Sequence, residues 1–205
     1  MRLHSETDGP ADGPAVVIVH GITHHGGVWA PLAAMLAGDG MRVVRVDIRG
    51  HGQSGHRPPW SLGTHVDDLL ETVGDLGIER AAWVGHSLGG MLVAGVAARA
   101  PERVERVALL DPAMGLDPEF ALMCAENDRL DWSFASVDEA VDTLLAAGFL
   151  VATPRQTLVD YAAGDLRPGP DGRLRFSFCA STAVAAWSEM TLAPPPVADV
   201  PTLLV

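Results

Sequence analysis

Ser87 lies in the run WVGHSLGGML (83–92), between Gly85 and Gly89. A serine hydroxyl becomes an effective nucleophile when a tight turn presents it to a substrate and backbone N–H groups stabilise the developing negative charge. Gly-X-Ser-X-Gly between a buried strand and a helix builds such a turn, because residues without a Cβ let the strand and helix approach closely. The pattern predicts nucleophilic, acyl-transfer chemistry at Ser87.

The elements that must position this serine alternate between two periods. Apolar runs typical of buried strands are AVVIVH (15–20), RVVRVD (42–47), AAWVG (81–85), RVERVALLD (103–111) and PTLLV (201–205). Helical patterns lie between them, at 29–38, from the N-cap Ser61 to Leu76, and at 88–99. This alternation predicts an α/β fold with a mostly parallel, doubly wound sheet and helices on both faces.

The alternation breaks between Pro112 and Pro196. Helix starts are predicted at Asp117-Pro118, at the capping box of Ser136 and Glu139, and at Thr153-Pro154. The second of these helices is expected to end near Gly148 and the third at Gly164, with a turn at 167–173 and a linker at 193–201. We therefore divide the chain into a first core part (1–111), a largely helical cap or lid insertion (112–196) and a return strand of the core (197–205).

Composition restricts the function further. The chain has 205 residues, 48% of them hydrophobic, which suits one domain with a real core. A formal charge of −12 argues against partners such as nucleic acid or an anionic membrane. We expect a cytoplasmic protein without signal peptide, membrane span, metal or cofactor; its oligomeric state is left open. Cys124 and Cys179 lack metal-binding spacing and are expected to be buried free thiols.

Several segments resemble the α/β-hydrolase fold family in its serine-nucleophile branch. They are the serine turn, HGITHHGGVW (20–29), DIRGHGQSG (47–55), VALLDPA (107–113) and PTLLV (201–205). The resemblance covers nearly the whole chain in the right order. It implies that Ser87 attacks an acyl carbonyl while the backbone N–H groups of Ile22 and Leu88 form the oxyanion hole. The implied substrate is a small apolar ester or related acyl compound, and serine at position 87 disfavours the aspartate-nucleophile branches.

The family also implies a histidine after the serine, which this sequence does not contain. All eight histidines lie at or before position 86: His4, His20, His24, His25, His51, His56, His65 and His86. The resemblance predicts that His86 points away from the serine Oγ. His24 and His25 lie close to the oxyanion loop and are the alternative candidates for a base.

Three of the histidines are expected to have structural roles. His20 and His51 are expected to be hydrogen-bonded loop residues, and His65 a residue of a helix surface. Asp111 follows the fourth predicted strand, where some family members carry the catalytic acid, although the pattern favours a structural aspartate that starts an Asp-Pro turn.

The absence of a histidine after Ser87 and of a clear catalytic acid predicts a C-terminally truncated hydrolase that lacks the final strand–helix units. The full-length protein would be an esterase-like serine hydrolase, and the 205-residue chain itself inactive. The alternatives are a C–C bond hydrolase, a cofactor-free peroxidase or perhydrolase, and a non-catalytic ligand-binding homologue.

The predicted cap contains eight large apolar residues. They suggest an apolar substrate pocket, although such residues more often form plain core packing: Phe120, Met123, Trp132, Phe134, Phe149, Phe176, Phe178 and Trp187.

Overall fold

Strands and helices alternate up to Leu110 and return to the sheet at Thr202. A computed structural model describes residues 1–147, 152–196 and 199–205. Within these ranges the strands are β1 (Ser5–Asp8), β2 (Ala15–Val19), β3 (Arg42–Val46), β4 (Ala81–His86), β5 (Val104–Leu110), β6 (Ser133–Phe134), β7 (Leu166–Pro168), β8 (Leu174–Phe176) and β9 (Thr202–Leu204). The helices there are α1 (Ala30–Gly38), α2 (Leu62–Asp75), α3 (Leu88–Arg99), α4 (Pro118–Asp128), α5 (Val137–Ala146), α6 (Arg155–Asp165) and α7 (Ala180–Glu189).

The main sheet has the strand order β1-β3-β2-β4-β5-β9. Only β1 runs antiparallel to its neighbour, and the remaining pairs are parallel. All five strands expected from the apolar runs are present, and β1 is the single strand that the N-terminal segment supplies. The predicted mostly parallel sheet is confirmed.

Helices cover both faces of this sheet, as the continuous apolar strands predict. On one face Val16, Ile18 and Val43 pack around Ala33 of α1. On the other face the alternate strand residues pack against α2 and α3: Val17, Val19, Val44, Val46, Trp83, Val66, Leu69, Val73, Met91 and Leu92. Because side chains alternate along a strand, both faces are apolar only when each strand is apolar throughout.

The register of the central strands brings three loops together at one edge of the sheet. Val19 pairs with Gly85, so the loop after β2 lies beside the turn after β4. His86 pairs with Leu110, which puts Asp111 on the other side of the same turn. Parallel strands end at a common edge, where sites of doubly wound folds are built.

The loop after β3 supports this edge. Asp47 Oδ1 accepts from the Gly26 N–H (2.7 Å), and Asp47 Oδ2 accepts from the Gln53 N–H (2.9 Å). Arg49 donates from Nε and Nη2 to the two carboxylate oxygens of Asp68 on α2, at 2.6 and 2.8 Å. These contacts join the loops after β2 and β3 to the helix layer.

Part of the 112–196 segment forms a small core of its own, whereas α7 packs on the main core. The predicted helix caps are present: Asp117 accepts from the N–H groups of Glu119 and Phe120, and Ser136 from that of Glu139. Helix α5 ends at Ala146, close to the predicted end near Gly148, which itself lies outside the described residues. A three-stranded antiparallel sheet, β6-β8-β7, and helix α7 accompany the helices and were not predicted. A separate apolar cluster joins β6, α5, α6 and β7: Phe134, Ala140, Val141, Leu158, Ala162 and Leu166.

Two expectations about single residues were wrong. His65 is 3% exposed, so it is not a surface residue; it lies on the buried side of α2 together with Asp68 and Thr72. Cys124 and Cys179 are free thiols, as expected, but half-buried rather than buried. Among residues 1–147, 152–196 and 199–205, no helix combines the length and the apolarity that crossing a bilayer requires.

Candidate active site

Ser87 occupies a sharp turn between β4 and α3, with φ 52° and ψ −119°. A positive φ is costly for a residue with a Cβ, so the surrounding packing must impose it. A Cβ on Gly85 would lie 2.2 Å from the Gly89 carbonyl oxygen, and one on Gly89 would lie 2.3 Å from that of Val19. Both glycines are therefore required by strand–helix contact, and Ser87 stays half-buried above the sheet.

The backbone on both sides holds this turn. The Ser87 N–H donates to the Leu110 carbonyl at 3.0 Å, and the Ser87 carbonyl accepts from the Ala113 N–H at 3.1 Å. With its own N–H and C=O occupied, Ser87 has only its hydroxyl left to engage another molecule.

Gly21 is the nearest neighbour of Ser87 from the loop after β2. A Cβ on Gly21 would lie 3.2 Å from Ser87 Cβ and 2.9 Å from His86 Nδ1. The N–H groups of Ile22 and Leu88 donate to no acceptor within the described part of the chain. Leu88 is the first residue of α3, whose N–H has no partner within the helix and carries the positive end of the helix dipole.

Histidine side chains fix the orientation of the 20–24 loop. His20 Nδ1 donates to the Gly21 carbonyl at 2.7 Å while its Nε2 accepts from the Ile48 N–H at 3.0 Å. In a trans peptide the C=O and the following N–H point in opposite directions, so this bond also sets the direction of the Ile22 N–H. Burial, followed by the charge of His51, lowers the pKa of His20 well below its ordinary value, which keeps the ring neutral.

Two more imidazoles continue this support. His51 Nε2 accepts from the Thr23 N–H at 3.3 Å, and its Nδ1 donates to the Arg49 carbonyl at 3.2 Å. Burial lowers the pKa of His51 to about 3. His24 Nδ1 donates to the Ile22 carbonyl at 2.7 Å. The expectation of hydrogen-bonded loop histidines at positions 20 and 51 is confirmed.

Asp111 lies next to Ser87 but is exposed. Its φ is 44°, and its N–H donates to the Val205 carbonyl at 2.8 Å. Within the described residues its carboxylate takes part in no hydrogen bond or ion pair. Asp111 is thus near the serine turn without a hydrogen bond to a histidine there.

No imidazole of the described residues is hydrogen-bonded to Ser87 Oγ. His86 packs instead against Gly21 and Trp29, with ring centroids 6.0 Å apart in the second case. Burial lowers the pKa of His86, with a smaller contribution in the same direction from His24. A serine–histidine pair is therefore not assembled among these residues.

His25 contacts Asp165, a residue that sequence reasoning missed. His25 Nε2 lies 3.2 Å from Asp165 Oδ1, and His25 Nδ1 accepts from the Gly27 N–H at 3.0 Å. Tyr161, also missed, donates from Oη to Asp165 Oδ2 at 3.2 Å. Both missed residues belong to α6, whose sequence carries no motif that would have marked them.

Two cavities lie beside these groups. The smaller, of about 180 Å³, is termed the ring pocket and is lined by Gly21, His24, Val28, Trp29, His86 and Tyr161. The larger, of about 850 Å³, is an open groove whose walls include His25, Arg45, Asp47, Asp160 and Tyr161.

The eight apolar residues of the predicted cap line neither cavity as far as the structure describes them. Phe134, Phe176 and Trp132 belong to the small core of the 112–196 segment, and Phe178 and Trp187 pack on the main core. Phe120 and Met123 are exposed, while Phe149 lies outside the described residues. The core-packing interpretation is correct for the five residues in these two clusters, because each packs in a hydrophobic cluster and lines neither cavity.

The comparisons with known proteins agree with this architecture. A family model for the alpha/beta hydrolase fold matches residues 14–167. Lipase LipV of Mycobacterium tuberculosis is 30% identical over 211 residues, covering 100% of this chain and 78% of LipV. A pimeloyl-[acyl-carrier protein] methyl ester esterase of Methylococcus capsulatus is 42% identical over 110 residues, covering 54% of this chain and 41% of that protein.

A solved structure of similar shape is that of E-2-(acetamidomethylene)succinate hydrolase. It superposes with a TM-score of 0.86 at 25% identity and covers 98% of this chain and 75% of the other. The family match spans most of the sheet, the serine turn and the loops after β2 and β3. This chain belongs to the alpha/beta hydrolase fold family.

Proposed function

We propose that the protein is a serine hydrolase that cleaves an ester or a related acyl compound. The observation that carries this proposal is the turn at Ser87, with its positive φ, its half-buried side chain and Gly21 packed beside it. A structural serine would not require the two backbone contacts that exclude any Cβ at positions 85 and 89. The relatives named as a lipase and a methyl ester esterase support the same chemistry.

In this proposal the Ser87 oxygen attacks the acyl carbon while its proton passes to a general base. The carbonyl oxygen becomes an oxyanion and accepts hydrogen bonds from the Ile22 and Leu88 N–H groups. Each such donor is worth about 3–4 kcal/mol of transition-state stabilisation. Collapse of the intermediate expels the alcohol with the proton, and water then releases the acid and restores Ser87.

We assign the general base and the principal acid to residues outside this 205-residue chain, with Asp111 as the alternative acid. The histidines of the chain support this assignment, since His20 and His51 are bound to backbone groups on both ring nitrogens. Loss of the base lowers turnover by about 10⁶ in a serine triad. We therefore expect the 205-residue chain alone to be inactive.

We propose further that residues 1–111 and 197–205 form the hydrolase core and that 112–196 is a cap. The separate apolar cluster and the small sheet of the 112–196 segment support this division. Tyr161 and Asp165 would then be cap residues that contact the oxyanion loop.

The test is labelling of the full-length protein with a fluorophosphonate probe that forms a covalent bond with activated serines. We expect labelling of the native protein and of Ser181→Ala, a control at an exposed position on α7, and none of Ser87→Ala. Equal labelling of the native protein and Ser87→Ala would exclude Ser87 as the nucleophile.

The other activities of this fold are separated by substrate. Aryl esters test the esterase, vinylogous diketones test C–C bond hydrolysis, and peroxide with an organic acid tests the perhydrolase. A folded full-length protein that turns over none of these and is not labelled would be a non-catalytic binding homologue.

A further inference from the structure

We propose that the ring pocket binds a neutral, flat ring of about benzene size. That this ring belongs to the acyl group of the substrate rests on the proposed function, whereas binding itself does not. Gly21 and His86 border both the pocket and the serine turn, so an acyl group held at Ser87 has the pocket within reach of its substituent.

The volume of the ring pocket suits a six-membered ring. The pocket has a volume of about 180 Å³ and is partly open to solvent. An engineered apolar cavity of about 150 Å³ in another protein takes up benzene. A ring of six atoms therefore fills the ring pocket, while a long fatty acyl chain exceeds it.

Four aromatic rings form walls of the pocket. The rings of Tyr161 and His24 have centroids 5.7 Å apart, and those of His24 and His86 are 6.3 Å apart at 87°. Trp29 continues this series, 6.0 Å from His86 at 63°. Aromatic rings attract one another edge to face at centroid separations of about 4.5–7 Å. A flat ring placed among these four meets edges and faces, and a linear alkyl chain gains only burial of area.

The lining of the ring pocket favours a neutral ligand. The lining contains no lysine or arginine among the described residues. Burial lowers the pKa of His86, so its imidazole is neutral at pH 7, and burial raises that of Tyr161, whose hydroxyl stays protonated. A carboxylate would enter the pocket without a lysine or arginine to balance its charge, which disfavours anionic ligands.

Two of these rings are held in place by hydrogen bonds. Tyr161 is held by its bond to the buried Asp165, and His24 by its bond to the Ile22 carbonyl. Walls that are fixed before binding lower the entropic cost of binding and sharpen selection by shape.

The experiment measures binding of three small probes to the 205-residue chain by calorimetry: benzyl alcohol, 1-hexanol and benzoate. We expect benzyl alcohol to bind about tenfold more tightly than either of the others. Val28→Phe fills the pocket and should weaken benzyl alcohol at least about tenfold. Leu122→Phe, which adds the same ring at an exposed site on α4, should leave the affinity unchanged.

A backbone NMR titration covers the case in which Val28→Phe does not fold. Benzyl alcohol should shift the amide resonances of Gly21 and Val28 in the native chain before those of α4. Hexanol or benzoate binding as well as benzyl alcohol, or shifts confined to other regions, would overturn the proposal.

Ser87→Ala separates this inference from the proposed function. Benzyl alcohol should bind that variant as it binds the native chain, because binding needs no covalent step. Ring binding to the 205-residue chain without labelling of Ser87 in the full-length protein would remove the hydrolase proposal and leave the pocket. Labelling of the full-length protein without ring binding would do the reverse.

Discussion

Nε2 of His25, in the loop after β2, lies 3.2 Å from Oδ1 of Asp165, a carboxylate that is 1% exposed at the end of α6. The contact joins the loop that carries Ile22 to the 112–196 segment. Protonation of His25 gives up the bond that Nδ1 accepts from the Gly27 N–H but turns the contact into an ion pair with a buried carboxylate.

This contact predicts a pH dependence. The close carboxylate of Asp165 raises the pKa of His25 against the opposing effect of burial, with Asp47 adding to the rise and Arg167 opposing it. A raised pKa in the folded state means that the stabilisation is fully present below the unfolded value of about 6.5. It is lost as pH rises through the folded pKa.

NMR titration of the imidazole resonances measures this effect directly. We expect His25 to titrate above about 6.5 in the native chain and lower in Asp165→Asn. An unchanged His25 pKa in Asp165→Asn would show that the carboxylate does not hold this proton.

Gly89→Ala should destabilise the serine turn. The added Cβ would meet the Val19 and His20 carbonyl oxygens at 2.3 and 2.6 Å, so strand and helix must separate. We expect the free energy of unfolding to fall by about 1–3 kcal/mol, measured by urea denaturation. Gly63→Ala in α2 is the matched control, since its Cβ meets nothing within 4 Å and should raise stability by about 0.5–1 kcal/mol. Equal effects at both positions would contradict the packing argument.

Asp68→Asn should be among the most damaging changes outside the serine turn. Arg49 and the N-terminal ammonium of Met1 both pair with this carboxylate, which is 2% exposed. Removing one partner of a buried pair costs about 3–5 kcal/mol because the other charge stays buried. The exposed neighbour Asp67, paired with Arg99, is the control, and Asp67→Asn should cost about 1 kcal/mol or less in the same denaturation experiment.

Burial acts to raise the pKa of Asp68, but the hydrogen bonds from Arg49 and the N-terminus outweigh it and the net direction is down. A depressed pKa contributes stability above the unfolded value of about 3.9 that is lost as pH falls through the folded pKa. Acid unfolding should therefore begin at higher pH in a variant that weakens this pair, and an unchanged acid midpoint would argue against it.

His20→Asn tests the positioning of the oxyanion loop in the full-length enzyme. Without the Nδ1 bond to the Gly21 carbonyl, the Ile22 N–H loses its fixed direction. We expect kcat to fall by about ten- to a hundredfold while KM changes little, because the oxyanion forms only in the transition state. His56→Ala should change neither constant. A folded His20→Asn protein with native kcat would show that His20 has no such role.

The amino-acid sequence by itself determined which segments form strands and helices in the sheet. Apolar runs such as AVVIVH and the cap at Ser61 act over a few residues, so their outcome is written locally. The serine turn could also be predicted from the sequence, because its two glycines are required by close contacts between a strand and the helix that follows it directly.

Only the tertiary structure decided which distant side chains meet. Tyr161 and Asp165 reach the loop after β2 because α6 packs there, and nothing in their local sequence records that contact. His65 is buried on the side of α2 that also carries Asp68 and Thr72, and an apolar pattern does not reveal a buried polar row. Local spacing sets the type of an element, whereas its neighbours are set by the packing of the whole chain.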